Sequence, residues 1–185
     1  MFKLYINYNF FNYLLSNMKE YFLMINLKKM HHNAYRCIDS EETRKFYEDF
    51  LGLPLVKAFE ISETMTGKKT KVLHTFYSLG DSSSLAFFEI LEDKLEYKRW
   101  HDFDLHIALE VEESTLLDYF KKGKNNNIET RGISHHGFIK SIYFRDPNGY
   151  VIELTTPIKN YKNTFKAKPR EILNKWTSYK NENFK

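Results

Sequence analysis

The chain has a single cysteine, Cys37, in 185 residues. That excludes an internal disulfide and rules out a cysteine-rich zinc site. Cys37 falls at a period-2 position in a predicted strand, where packing is its expected role. A lone thiol fits a reducing, cytoplasmic compartment. Long apolar runs are missing too: no stretch reaches the roughly 18 residues of a membrane span. Asn7, Asn9 and Asn12 interrupt the aromatic N-terminal segment, and no small-residue cleavage site follows, so it does not read as a signal peptide. Met18, Met24 and Met30 are alternative starts. Residues 1–30 are expected to lie outside the fold.

A basic face on the folded part is also missing. The net charge is +4, but residues 1–30 carry +3 and residues 158–185 carry +6, which leaves −5 for residues 31–157. Phosphate binding needs a basic face on the fold itself, so a nucleic-acid partner is not expected. What the chain does have is hydrophobic content of 42% and aromatic content of 17%, enough for a globular core.

Residues 31–157 read as two similar halves. In the first, Asn33, Tyr35 and Cys37 alternate as a strand. Asp39 and Ser40 open a helix, with Glu41 and Glu42 in its positive first turn. Phe46, Tyr47, Phe50 and Leu51 follow at helical spacing, and Gly52 ends it. Strands are predicted at 53–60, 70–79 and 85–91. The connector 92–103 is charged. The order then repeats: strand 104–111, helix 114–124, strand 128–133, and a hairpin over Ser141–Thr155 closed by Asp146-Pro147-Asn148-Gly149, strong turn chemistry.

Fixed offsets support the repeat. At offset 74, His32 meets His106, Ala34 meets Ala108, Ser40 meets Ser114 and Phe46 meets Phe120. At offset 64, Glu89 meets Glu153. The change of offset predicts shorter hairpins in the second half. Glu153 is a carboxylate among Val, Ile and Leu, costly to bury unless a cation or donor meets it. His32, Glu89, His106 and Glu153, spaced 57, 17 and 47 positions apart, form a ligand set that suits a divalent first-row metal with open positions.

HHNAYRCIDSEETRKFYEDFLGLPL, DLHIALEV and SIYFRDPNGYVIELT resemble the vicinal oxygen chelate superfamily, which includes glyoxalase I, extradiol dioxygenases and the bleomycin- and fosfomycin-resistance proteins. The resemblance spans about residues 31–157. It implies an α+β fold of two tandem βαβββ modules, 31–91 and 104–157, cupped in a barrel-like mixed sheet around one metal. The family's ligand positions fall on His32, Glu89, His106 and Glu153, an order similar to bacterial glyoxalase I.

The leading expectation is therefore a glyoxalase-like isomerisation of the hemithioacetal of a 2-oxoaldehyde and a thiol such as glutathione. The divalent metal would be Ni, Zn, Fe, Mn or Co, and Glu153 or Glu89 would move the proton. An extradiol Fe(II) dioxygenase would use only His32, His106 and Glu153 as ligands, with Tyr143, ten residues before Glu153, and His135 or His136 beside the metal. A metal-free, drug-sequestering protein is the third alternative. His74 is expected to pack in the core, and His31 and His101 to lie on the surface. In the basic tail 158–185, Pro169 opens a predicted helix with Ile172, Leu173 and Trp176 on one face. That stripe is expected to cover either the domain's own sheet or a second subunit of a homodimer. The expected partners are a small-molecule substrate and a second copy, with neither nucleic acid nor membrane.

Overall fold

The computed structural model describes residues 27–159 and 168–184. Most of the N-terminal extension expected to lie outside the fold, and part of the basic tail, fall outside the described residues. The chain divides into two units, Met1–Glu96 and Tyr97–Lys185.

Unit 1 runs β1 (His32–Arg36), α1 (Ser40–Arg44) continuing into a π-helical segment (Lys45–Phe50), β2 (Leu55–Glu63), β3 (Lys69–Ser78) and β4 (Ser84–Ile90). Its sheet has the order β1-β4-β3-β2, with β1 and β4 parallel and the other pairs antiparallel. Asp39 caps α1 by accepting the Glu42 amide at 2.8 Å, and Glu41 and Glu42 occupy the first turn as charge and dipole require. The helical segment lays Phe46, Tyr47 and Phe50 onto one face of the sheet. Tyr47 packs 4.7 Å from Phe87 and 5.6 Å from Tyr77, centroid to centroid, and all three rings are fully buried. Each contributes roughly 1.5–3 kcal/mol of burial. Cys37 lies just beyond β1, buried beside Ser40. Burial pushes its thiol up to about 11, which fits the expected packing role.

Unit 2 repeats the order as β5 (His106–Glu110), α2 (Glu113–Asn125), β6 (Thr130–His135), β7 (Ile139–Arg145) and β8 (Val151–Pro157). Its sheet order is β5-β8-β7-β6, with β5 and β8 parallel. The two mixed four-stranded sheets are the tandem βαβββ architecture that the repeat predicts. As expected, the strands of the second hairpins are shorter, six and seven residues against nine and ten.

The register corrects one equivalence. His32 pairs with Ser84 and His106 with Val151, so the last strands correspond at an offset of 67, not 64. Two residues on, Ala34 pairs with Ala86, where Ala108 pairs with Glu153. The place of Glu153 in the first repeat is thus held by Ala86. The likeness of FFEI to VIEL is an apolar rhythm, which fits the pleat at more than one register.

The turn of the β7–β8 hairpin has a second task. Asp146 accepts the amides of Asn148 and Tyr150 at 2.9 and 2.8 Å, and Gly149 takes φ +87°, which glycine adopts without strain. The connector Tyr97–Trp100 lies against it. A Cβ on Gly149 would collide with the Lys98 carbonyl. The Gly149 carbonyl accepts the Trp100 amide and a hydrogen bond from Arg145.

Helix α3 (Pro169–Asn183) follows. None of its residues is buried, and Ile172, Leu173 and Trp176 are all at least half exposed. The alternative in which this stripe covers the domain's own sheet is not realised. No helix among the described residues is long and apolar enough to cross a membrane.

Candidate functional site

The side chains of unit 2 sort by strand alternation. Ile142, Phe144, Ile152 and Leu154 are buried on the face toward α2. His106, Glu153, Tyr143 and Arg131 share the opposite face, because Glu153 is in register with Ala108 and Tyr143, and Tyr143 with Arg131.

His106 opens β5. Its Nδ1 lies 2.7 Å from the Asp102 carbonyl, and a carbonyl can only accept, so Nδ1 carries the proton and Nε2 presents a lone pair. That Nε2 lies 3.4 Å from Oε2 of Glu153, whose side chain is only 7% exposed. A lone pair facing a buried carboxylate calls for a cation, either a proton on the imidazole or a metal ion. One nitrogen and one carboxylate oxygen, with the imidazole oriented through its far nitrogen, fit a divalent metal.

Tyr143 lies directly across from Glu153, and its hydroxyl is 2.8 Å from His136 Nε2. Of the two histidines left open by the sequence, His136 is the one that reaches the tyrosine. Burial, and then the Glu153 charge, push the phenol above its ordinary value. Tyr143 is therefore a protonated donor across the neutral pH range. Arg131 lies over the Tyr143 ring at 5.2 Å and donates to Asp102 Oδ2 at 2.8 Å. Asp102 thus holds two members of the group, His106 through its carbonyl and Arg131 through its carboxylate. These residues line a pocket of about 490 Å³ with Phe138 at its wall.

In unit 1, His32 is on the face away from the helix, its ring edge-on to Phe76 at 5.4 Å, with its Nδ1 2.7 Å from Nδ1 of His31. His74 shares that face, stacked 3.7 Å from Phe88, and donates from Nδ1 to the Phe87 carbonyl at 2.9 Å. Burial holds this imidazole below its ordinary value. It is buried, as expected of a core histidine. His31 and His101 are exposed as expected.

Glu89 is on the other side of the sheet. It follows Phe88, so alternation turns it toward the helix, where Oε2 accepts the Ser40 amide at 2.8 Å. The expected ligand is a helix cap, and its face is opposite that of His32. No group of three or more His, Cys, Asp or Glu side chains is gathered for a metal among the described residues. The members that the structure brings together are His106, Glu153, Tyr143 and His136.

Sequence reasoning missed Asp102 and Arg131. Asp102 lay in the connector, four residues before His106, and reaches the site partly through its backbone. Arg131 falls on the site face only once the β6–β7 register is known.

Comparison with known proteins agrees with this architecture. The chain is 29% identical over 126 residues to a probable lactoylglutathione lyase of Vibrio parahaemolyticus, covering 66% of this chain and 86% of that protein. It is 27% identical over 138 residues to metallothiol transferase FosB of Shouchella clausii, covering 69% and 79%. A glyoxalase/dioxygenase structure from Nostoc punctiforme shares the fold at TM-score 0.54 and 22% identity, covering 72% of this chain and 94% of that one. Residues 29–154 match the sequence profile of the Glyoxalase/Bleomycin resistance protein/Dioxygenase superfamily, and the chain, with its two βαβββ repeats, belongs to that superfamily.

Proposed function

We propose that the protein is a divalent-metal enzyme of the extradiol ring-cleaving type, acting on a small molecule with two adjacent oxygens. One observation carries this: the Tyr143 hydroxyl meets His136 at 2.8 Å in the pocket that also holds His106 and Glu153, while Glu89 is occupied as a helix cap. Loss of Glu89 removes the fourth ligand on which a glyoxalase-type site depends. His106 and Glu153 are then two ligands of a two-histidine, one-carboxylate set. The repeat nominates His32 as the third.

An Fe(II) held by His106 and Glu153 would supply Lewis-acid and O₂ chemistry to a substrate with adjacent oxygens. The chain's own residues do the rest. The Asp102 carbonyl keeps the His106 proton on Nδ1, so that Nε2 stays a ligand. Glu153 supplies the negative charge that matches a cation. His136 takes the proton from a substrate hydroxyl, and Tyr143, held protonated by burial, donates a hydrogen bond or proton to an oxygen that gains charge.

A second reading is favoured by the relatives. Lactoylglutathione lyase and metallothiol transferase both carry a thiol in their names, which supports a thiol-dependent reaction with Glu153 moving the proton. A homodimer belongs to either reading, and the exposed apolar face of α3 suits it. The deciding experiment is metal analysis of the purified protein, followed by O₂ uptake with catechols after Fe(II) loading and by assay with methylglyoxal–thiol adducts. Catechol-dependent O₂ uptake is expected. Turnover of the adducts with silence toward catechols would replace the first reading by the second.

A further inference from the structure

Beside the pocket lies a second cleft of about 450 Å³ in unit 2, lined by Arg99, Arg131 and Arg145 with Trp100 and Phe103. Phe103, Asp102 and Arg131 line both cavities. Three guanidinium groups meet only two carboxylates here. Arg99 makes a fork to Glu129, both bonds at 2.7 Å. Arg145, its side chain 7% exposed, reaches Glu129 at 3.4 Å and Asp102 at 4.0 Å. Arg131 donates to Asp102 and lies 3.9 Å from Glu129. One positive charge is left over, in a region, residues 31–157, whose net charge is −5.

The donors are also pre-positioned. Arg145 is fixed by the Trp100 and Gly149 carbonyls at 3.0 and 2.8 Å. Among the described residues Nη1 of Arg131 makes no hydrogen bond, since that side chain donates through Nη2. The walls are aromatic: Trp100 is stacked on Tyr150 at 6.2 Å and covered by Lys98 at 3.7 Å. An excess guanidinium charge over a planar, partly apolar floor is the chemistry that recognises a carboxylate on a short carbon chain.

We propose that this cleft is a carboxylate subsite for the non-reacting arm of the substrate. Its assignment to the substrate's arm rests on the reading of the adjoining pocket as the reaction site, whereas the anion site itself does not. Arg131, shared by both cavities, marks where arm and reacting head join. Glu129 acts as the stand-in anion that keeps Arg99 in place.

The test uses the full-length protein as purified and titrates glutarate, neutral glutaramide and inorganic phosphate by calorimetry. Glutarate is expected to bind saturably and more weakly as salt rises, and glutaramide not to bind. Arg131→Gln should weaken glutarate about tenfold, the scale of one charge-assisted hydrogen bond. Glu129→Gln should tighten it severalfold, because a competing carboxylate is gone. An ion network that only stitches the connector to the sheet would give no such gain. Absence of glutarate binding in both wild type and Glu129→Gln overturns the subsite, as does binding unchanged by Arg131→Gln, or phosphate binding without glutarate. These probes do not react, so failure of the catechol assay leaves the outcome standing. Assignment to the substrate's arm is read separately: 3,4-dihydroxyphenylacetate should show a lower KM than its methyl ester. Equal KM values overturn that assignment while leaving the anion site in place.

Discussion

Replacing Glu89 by Gln and by Ala separates a helix cap from a metal ligand. Glu89 Oε2 accepts the Ser40 amide at 2.8 Å, next to the Asp39 cap at the positive end of α1. Gln keeps an acceptor of similar reach but loses the charge. The cost is the charged share of one hydrogen bond plus a helix-dipole contribution, together about 0.5–1.5 kcal/mol. Ala leaves the Ser40 N–H without its acceptor in a half-buried place, about 1–3 kcal/mol. In a chain of 185 residues, each kcal/mol moves the midpoint about 2–4 °C. The thermal unfolding midpoint followed by circular dichroism should therefore drop by about 1–6 °C for Glu89→Gln and more for Glu89→Ala. Metal content by mass spectrometry should stay at the wild-type level in both. Loss of metal from Glu89→Gln with an unchanged midpoint would refute the cap and restore the four-ligand site.

The remaining predictions concern the site face and the core. Tyr143→Phe should lower ring-cleaving turnover about 10²-fold with metal content intact; steady-state O₂ uptake checks it, and a silent variant favours the thiol-dependent reading. His32→Ala, His106→Ala and Glu153→Ala should each lose metal yet keep the wild-type circular dichroism spectrum, and full metal occupancy in two of the three would sink the ligand set. His74 is held below its ordinary value by burial, so the unfolded chain takes up a proton that the folded chain refuses. Stability from this group is fully present above about pH 6.5 and falls as pH drops from there toward the lower folded value. Urea midpoints between pH 7.5 and 5 should show that decline, and His74→Gln should flatten it.

The fold was legible because each half carries its own punctuation. Asp39-Ser40 before a helical stripe and Asp146-Pro147-Asn148-Gly149 between two alternating runs leave little choice of element, and the recurrence of His32 at His106 fixed the repeat. Strand ends shifted by one to three residues, as with β6, expected at 128–133 and found at Thr130–His135. Within the candidate site, the shared face of His106, Glu153 and Tyr143 was legible, because side-chain type and alternation decide it. The face that Glu89 takes was not legible. Sequence offset counts residues, but a sheet counts hydrogen-bonded register, and three residues of difference reverse a side chain. Asp102 was hidden for another reason, since its contact with His106 runs through a carbonyl, which every residue type possesses.

Gly149 shows how far one missing side chain can reach. Its bare Cα lets the connector settle onto the hairpin, and the next residues along that connector are Arg99, Trp100 and, shortly after, Asp102. The height of this connector above the turn sets where the Asp102 carbonyl stands, and that carbonyl decides which nitrogen of His106 holds its proton. A methyl group at position 149 would act like a shim under one end of a lever. The displacement would be felt at the imidazole, by a residue that touches neither ligand nor pocket.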